Sequence, residues 1–259
     1  MRTRTSWAMC LLFLGRVAGL VLPLAAQAPA AEKEKPPIYF YIAEWGVPRA
    51  QWGDMTKLED QDKALLDKLV ADGTITGYGA YAELIHQENG PTHGTWFSAR
   101  TEGGLLKALE QFYAQPALVG SAVQGASKHW DYILTGTIYN AKPGSSAGYL
   151  SVSRWKVNPG EMRGYTELTK STMVPVLEKL LAEGTISGYG LVTEDYHTSD
   201  PGVIFEYFMT PDAASLDKAN AAFEEVFAKN AALGGASRTM LNREGHRDSL
   251  ARIRFMVNK

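Results

Sequence analysis

Hydrophobic and polar residues change their period in a fixed order along the chain. From residue 38 to residue 44 they alternate, which predicts a strand. A helical period follows through Leu58 and Val70 and stops at Asp72-Gly73, a typical end of a helix. The pattern then predicts two strands, a helix and a last strand, near 74–86, 95–100, 105–113 and 131–139. The predicted order is β-α-β-β-α-β.

The same pattern occurs twice. Residues 67–86 and 178–197 are identical at eleven of twenty positions, at an offset of 111 residues. The match extends outward, because Tyr39-x-x-Ile42-x-x-Trp45 recurs as Tyr149-x-x-Val152-x-x-Trp155. The chain therefore contains an internal duplication.

The second copy predicts the same elements as the first, with strands at 149–154, 185–197, 203–209 and 250–257 and helices through 173–181 and 213–229. Pro175 predicts that the first of these helices begins or kinks there. The order in each copy is that of the split βαβ, or ferredoxin-like, unit. We therefore predict an α+β protein with a first repeat over 38–139, a linker rich in Pro, Gly and Ser over 140–148, and a second repeat over 149–259.

Two ferredoxin-like repeats in tandem, over residues 38–257, resemble the dimeric α/β-barrel superfamily, and in particular its tandem fused members. The resemblance implies that the two repeats form one intramolecular, pseudo-dimeric barrel with helices outside. Members of the superfamily include antibiotic-biosynthesis-type monooxygenases, haem-degrading and haem-peroxidase-like enzymes, and small stress-response proteins. The resemblance thus implies a pocket, but no particular chemistry.

The first 28 residues have the layout of a secretory signal peptide. Arg2 and Arg4 precede an apolar stretch, and A-x-A cleavage sites end at Ala28 and Ala30. A membrane anchor is disfavoured, because Arg16 leaves apolar pieces shorter than the roughly 18–20 residues that a spanning helix needs. We expect a cleaved, periplasmic or extracellular protein without a stable membrane anchor, with a charged and proline-containing leader over 29–37.

The composition and the net charge restrict the kinds of partner that the protein can bind. The chain of 259 residues is 45% hydrophobic and 21% charged, which is typical of a globular protein. Its formal net charge is −2, and removal of residues 1–28 makes it −5, so no basic field exists to hold a nucleic acid. Cleavage also removes Cys10, the only cysteine, which leaves no disulfide and no thiol nucleophile.

Four of the five histidines are matched between the two copies, in the pairs Glu83-x-x-His86 with Glu194-x-x-His197 and His129-x-Asp131 with His246-x-Asp248. On a strand Glu83 and His86 point to opposite sides, and His129 with Asp131 supplies only two ligands, so we predict no metal site. The ordinary interpretation is hydrogen-bonded or solvated side chains. If the protein is an enzyme, His86 or His197 would be its general base or proton shuttle, because only histidine titrates near neutral pH.

Tyr78 and Tyr189 are each flanked by glycines within a predicted strand. Glycines at such positions indicate either the close approach of a ligand or backbone, or a bulge that helps a barrel to close. The sequence favours the second interpretation.

On the two first strands, we expect the aliphatic face to pack on helices and the other face to look into the barrel. The second face carries Tyr39, Tyr41 and Trp45 in one copy and Tyr149, Ser151 and Trp155 in the other. It would form an aromatic lining for a flat apolar ligand, or else a packed core between the two sheets. Arg252 and Arg254 share a face of the last strand and would add cationic contacts, for instance to a carboxylate.

The sequence leaves three functions open. The leading one is an exported barrel that binds a small apolar or aromatic molecule, as a binding protein or a cofactor-independent, monooxygenase-like enzyme. Its predicted lining is Trp45, Trp155, Tyr78 and Tyr189. The alternatives are a haem-binding barrel with a histidine as axial ligand, and a non-enzymatic stress or interaction scaffold. The residues identify neither the ligand nor a cofactor, nor which repeat holds a competent site.

Overall fold

The computed structural model describes residues 35–114, 121–196 and 201–259. The predicted signal peptide, most of the predicted leader and His197 lie outside these ranges. None of the helices within them combines the length and the apolar character that crossing a membrane requires.

The first repeat begins with an alternating strand, as predicted, and its long first helix ends at Ala71, just before Asp72 and Gly73. Thr101 caps the second helix by accepting a hydrogen bond from the Gly104 amide. The elements are β1 (Ile38–Trp45), α1 (Trp52–Ala71), β2 (Gly77–Glu83), β3 (His93–Ala99), α2 (Glu102–Tyr113), the short α3 (Ser121–Gln124) and β4 (His129–Ala141).

The second repeat has more helices than the sequence pattern predicts. The predicted helix through 173–181 is the second of two, which are separated at Met173; Pro175, which has no N–H to donate, occupies the first turn of the second one. The elements are β5 (Gly144–Val157), α4 (Met162–Thr172), α5 (Val174–Glu183), β6 (Gly188–Glu194), β7 (Val203–Thr210), α6 (Ala213–Lys229), α7 (Ala231–Met240) and β8 (Leu241–Asn258).

The predicted linker over 140–148 is mostly strand. β4 continues to Ala141 and β5 begins at Gly144, so only Lys142 and Pro143 connect them. Gly144 and Gly148 both have positive φ, which explains why glycines occupy a stretch that reads as a flexible linker.

The eight strands close into one antiparallel barrel in the order β1-β3-β2-β8-β5-β7-β6-β4. The two repeats meet at two seams, where β2 pairs with β8 and β4 pairs with β6. The predicted fold class, an intramolecular barrel made of two ferredoxin-like repeats, is confirmed.

The predicted orientation of the first strands is wrong. Tyr39 and Tyr41 lie on the outside of the barrel, in a core shared with α1 and α2, whereas Ile38, Phe40 and Ile42 line the lumen. Both faces of a closed barrel strand that is covered by helices are buried, so an aliphatic face is suited to either side. The same reversal holds in β5, where Val152 faces the lumen and Ser151 faces the helices.

Candidate functional site

The barrel lumen contains a cavity of about 280 Å³. Most of its wall is apolar and aromatic. Phe40 lies between Trp96 and Tyr207, with ring centroids 6.1 and 6.3 Å away, in the tilted and edge-on arrangements that aromatic rings prefer. The remaining apolar lining includes Ile42, Leu134, Leu150, Val152, Val192, Phe205 and Met209.

Two lumen-facing glycines create the space for the Trp96 and Tyr207 rings. A Cβ on Gly79 would come within 2.6 Å of the Trp96 indole, and one on Gly190 would come within 2.7 Å of the Tyr207 ring. The two glycines are equivalent in the duplication, so each repeat places an aromatic ring of one strand over a glycine of its neighbour. The glycines beside Tyr78 and Tyr189 thus serve the lumen and not those tyrosines.

Polar groups gather at one end of the lumen. Because all neighbouring strands are antiparallel, β1, β2, β5 and β6 end where β3, β4, β7 and β8 begin. Glu44 and Glu83 lie at the ends of β1 and β2, and Tyr132 lies near the start of β4. We call this the carboxylate end of the lumen.

Glu44, which is partly buried, and Tyr81, which is buried, form a hydrogen-bonded pair at this end. The Tyr81 hydroxyl donates to Oε1 of Glu44 over 2.6 Å. Burial raises the pKa of Glu44, against the opposing effect of the Tyr81 hydrogen bond. Burial, with Glu44 beside it, also raises the pKa of Tyr81, so this phenol stays protonated and remains a donor.

Glu83 is another acid of the carboxylate end, and it is buried. It is 6% exposed and lines the cavity, and its Oε2 has no hydrogen-bond partner within the described part of the chain. Burial, and then the nearby Glu44, raise the pKa of Glu83 to about 7, while a hydrogen bond with Ser249 opposes the rise. Near neutral pH this side chain can therefore hold either a proton or a negative charge in contact with the cavity.

The carboxylate end opens to solvent. Ile85, 62% exposed, and Gln87 follow β2, while Arg247 and Asp248 in the first half of β8 are also exposed, and all four line the cavity. These residues form the mouth of the lumen.

A second cavity, of about 270 Å³, lies between the outer face of the second repeat's strands and its helices α4 to α7. One polar feature of this cavity is a hydrogen bond of 2.7 Å from the Tyr165 hydroxyl to Oε1 of Glu206. Burial raises the pKa of Glu206, and the Tyr165 hydrogen bond opposes this. In the first repeat, α1 places Met55, which is almost fully buried, at the position equivalent to Tyr165.

The four predicted aromatic ligand-binding residues lie outside the lumen, which corrects their predicted orientation. Trp155 and Tyr189 line the second cavity, whereas Trp45 and Tyr78 pack in the apolar cores of the first repeat. The two tyrosines make equivalent hydrogen bonds to acids on helices. Tyr78 donates to Asp67 on α1, and Tyr189 donates to Glu178 on α5, each over 2.5 Å.

None of the histidines that the structure describes lines either cavity. His86 is exposed on the loop after β2, with its ring 5.2 Å from that of Trp52, and it lines neither cavity. This position provides no contact through which His86 would act as a general base, and its predicted partner His197 is not among the described residues. His93 is buried, its ring lies 5.4 Å from that of Trp52, and burial lowers its pKa to about 4.

The other two histidines form a repeated stack. The His129 ring stacks on Trp45 at 5.1 Å, and the His246 ring stacks on Trp155 at 3.6 Å. Each also contacts the aspartate two residues later, at 3.2 Å in His129 and 3.0 Å in His246. No group of three or more side chains suited to hold a metal occurs in the ranges 35–114, 121–196 and 201–259.

Arg252 and Arg254 also lie outside the lumen, contrary to the prediction. The Arg252 guanidinium is 4.9 Å from the centre of the Tyr149 ring on the surface. Arg254 forms an ion pair with the buried Glu59 of α1 and approaches Asp60 at 3.4 Å. Among the described residues, the cations that line the lumen are Arg154 and Arg247, which sequence reasoning missed.

Sequence reasoning also missed Glu44, Tyr81 and Glu83 as site residues. Two signals were present. Glu44 is the one acid on the aliphatic face of β1, and Glu83 is matched by Glu194 in the duplication. Neither signal reveals a lumen site unless the direction in which each strand face points is known.

Solved structures share this fold. A candidate monooxygenase from Lactobacillus acidophilus NCFM is 11% identical, with a TM-score of 0.64 over 86% of this chain and 97% of its own. A candidate monooxygenase from Fusobacterium nucleatum subsp. nucleatum ATCC 25586 is 12% identical, with a TM-score of 0.56 over 86% and 94%. An anthrone oxidase-like protein is 10% identical, with a TM-score of 0.53 over 87% and 94%. The sequence matches no protein-family model and no curated protein.

The fold is an α/β barrel of two ferredoxin-like repeats in which one chain supplies both halves, and these solved structures share it. At these identities the likeness concerns the fold alone, so function has to be argued from the cavities.

Proposed function

We propose that the protein binds one small, largely apolar molecule in the barrel lumen. The main support is the open cavity of about 280 Å³, since protein interiors are otherwise packed with few voids larger than a water molecule. An engineered apolar cavity of about 150 Å³ holds benzene, so the lumen suits a molecule of roughly a dozen non-hydrogen atoms. Apolar walls with polar groups at one end are typical of a small-molecule site.

The wall favours an aromatic body. Trp96, Phe40 and Tyr207 present ring faces and edges to the cavity, and such contacts add about 0.5–1.5 kcal/mol per aromatic pair beyond the burial of area. Binding of this kind is also the first requirement of any monooxygenase-like activity.

Haem fits the described residues poorly. None of the four described histidines lines either cavity, so no imidazole within the described ranges is placed to bind an iron there. The lumen proposal therefore involves no haem.

The test uses two adjacent residues on opposite faces of β5. Val152 lines the lumen and Ser151 lines the second cavity, so Val152→Phe and Ser151→Phe each fill one cavity. The probe is 4-phenylbutan-1-ol, measured by isothermal titration calorimetry. We expect one molecule bound per chain, a loss of affinity of about tenfold or more in Val152→Phe, and little change in Ser151→Phe.

Circular dichroism in the near ultraviolet verifies that both variants keep their tertiary packing. Loss of binding in Ser151→Phe with retention in Val152→Phe would move the site to the second cavity. If neither the unmodified protein nor either variant binds the probe, the proposal of lumen binding is wrong and a scaffold role is favoured instead.

We also infer that the protein is exported after removal of its first 28 to 30 residues. This rests on the basic start, the interrupted apolar stretch and the A-x-A sites.

A further inference from the structure

Glu83, the buried acid of the carboxylate end, has an oxygen atom that accepts no hydrogen bond from the described residues. Glu83 is more than nine-tenths buried and lines the cavity, and no donor among the described residues reaches its Oε2. A buried acceptor without a partner loses the hydrogen bonds that it makes in water. A ligand that brings a donor to this position restores such a bond.

The neighbouring charges favour a positive donor. Glu44, whose Oε1 accepts from Tyr81, is near enough to Glu83 to repel its negative charge. Two carboxylates that face one cavity are stabilised when a cation lies between them. The other polar groups at this end are Tyr132 of β4, Arg154 of β5, Glu194 of β6, and Arg247, Asp248 and Ser249 of β8.

The two arginines of this end have backbone partners. Arg154 donates from Nη1 to the Gly245 carbonyl at 3.0 Å, and Arg247 donates from Nη1 to the His246 carbonyl at 2.7 Å. Asp248 accepts from Ser153 at 2.6 Å and contacts His246 at 3.0 Å. Of the acids Glu44, Glu83 and Asp248, which all line the cavity, Glu83 is the one with a buried oxygen that has no hydrogen-bond partner among the described residues.

The order of residues along β1 sets the direction of the ligand. Ile38, Phe40 and Ile42 line the lumen in sequence, and Glu44 follows at the mouth. An apolar body therefore lies deep in the barrel, while a polar head remains at the carboxylate end beside the solvent.

We propose that the lumen ligand is an apolar primary amine, whose ammonium group donates to Oε2 of Glu83 beside Glu44 and whose aromatic or aliphatic body lies against Phe40 and Trp96. This inference rests on the proposed lumen binding and specifies the chemical class of the ligand.

The test compares three probes that share one body and differ in the head, namely 4-phenylbutylamine, 4-phenylbutan-1-ol and 4-phenylbutyrate. Calorimetry near pH 8, on the unmodified protein, Glu83→Gln and the control Glu88→Gln, measures each affinity. Glu88 is an exposed residue of the loop after β2. We expect the amine to bind about tenfold more tightly than the alcohol, and the carboxylate to bind most weakly. Glu83→Gln should abolish the amine's advantage over the alcohol, and Glu88→Gln should keep it.

The ratio of amine to alcohol affinity in the unmodified protein is a second measurement that needs no variant. It should rise by about tenfold between pH 5 and pH 8, as the carboxylate ionises while the amine stays protonated. Equal binding of amine and alcohol at both pH values would overturn the amine proposal and leave lumen binding intact. Tightest binding of the carboxylate would overturn it in favour of recognition by the arginines, and absence of binding by all three probes would defeat lumen binding itself.

Discussion

Tyr81 donates its hydroxyl proton to Glu44 over 2.6 Å, and its ring occupies the space that a side chain on Gly94 would fill. The three residues lie on β2, β1 and β3, so the pair depends on contacts across the sheet. The geometry of the carboxylate end therefore depends on the lack of a side chain at Gly94 as well as on the acids.

Gly94→Ala should destabilise the protein by about 1–3 kcal/mol, because the new Cβ would lie 2.2 Å from the Tyr81 ring. The matched control is Gly103→Ala in α2, where nothing lies within 4 Å of the added atom, and which should leave stability unchanged or raise it by about 1 kcal/mol. Urea unfolding measures both. Equal stability of Gly94→Ala and the unmodified protein would show that Tyr81 does not pack on this glycine.

Stability should depend on pH through Glu83. Its pKa is about 7 in the folded protein, above the ordinary value of 4.5, so the folded state binds this proton more tightly than the unfolded state. The contribution of Glu83 to the free energy of unfolding is thus greatest below pH 4.5 and is lost as pH rises to about 7. The full effect corresponds to about 3 kcal/mol.

The glutamine side chain in Glu83→Gln has no carboxyl proton and does not titrate in this pH range. The difference in unfolding free energy between Glu83→Gln and the unmodified protein should therefore shift in favour of the variant between pH 5 and pH 8. Glu88→Gln, at an exposed position, should show no such shift. A pH-independent difference for Glu83→Gln would contradict the burial of an ionisable carboxyl at the lumen.

The ion pair of Arg254 and Glu59 should be structural. The Glu59 side chain is fully buried, and burial raises its pKa to about 7 even though Arg254 lowers it. Arg254→Met would leave that carboxylate unpaired, at a cost of about 3 kcal/mol near pH 8 and less near pH 5, where Glu59 is protonated. The exposed Arg252→Met should cost less than about 1 kcal/mol. Similar losses in the two variants, measured by urea unfolding, would argue against the buried pair.

Export should remove the N-terminal segment. Mass spectrometry of protein recovered from outside the cytoplasm of an expressing bacterium should place its first residue just after Ala28 or Ala30. The segment that precedes β1 would then be the short charged leader. An intact N-terminus on a membrane-bound protein would instead support the anchor.

The fold was predictable because the duplication repeats one order of hydrophobic periods. Each predicted strand and helix depends on residues close in sequence, whereas the closed barrel was implied by the resemblance of the tandem copies to the dimeric α/β-barrel superfamily. The sequence pattern did not predict the extra helix α7, and it indicated the division at Met173 only through Pro175. Both features depend on how the second repeat's helices pack.

The site was less predictable, because strand periodicity separates two faces without showing which of them faces inward. Tyr41 and Ile42 are both suited to a buried position, and the aliphatic face proved to be the lumen. The contacts that create the cavity, such as Trp96 over Gly79, join residues of different strands, and nothing in the local pattern records them.

The most direct test of lumen binding is a crystal structure of the mature protein soaked with 4-phenylbutan-1-ol. We predict density for one molecule inside the barrel, with its ring against Phe40 and Trp96 and its hydroxyl towards Glu83. Density in the second cavity between the strands and α4 to α7, with none in the lumen, would contradict the proposal.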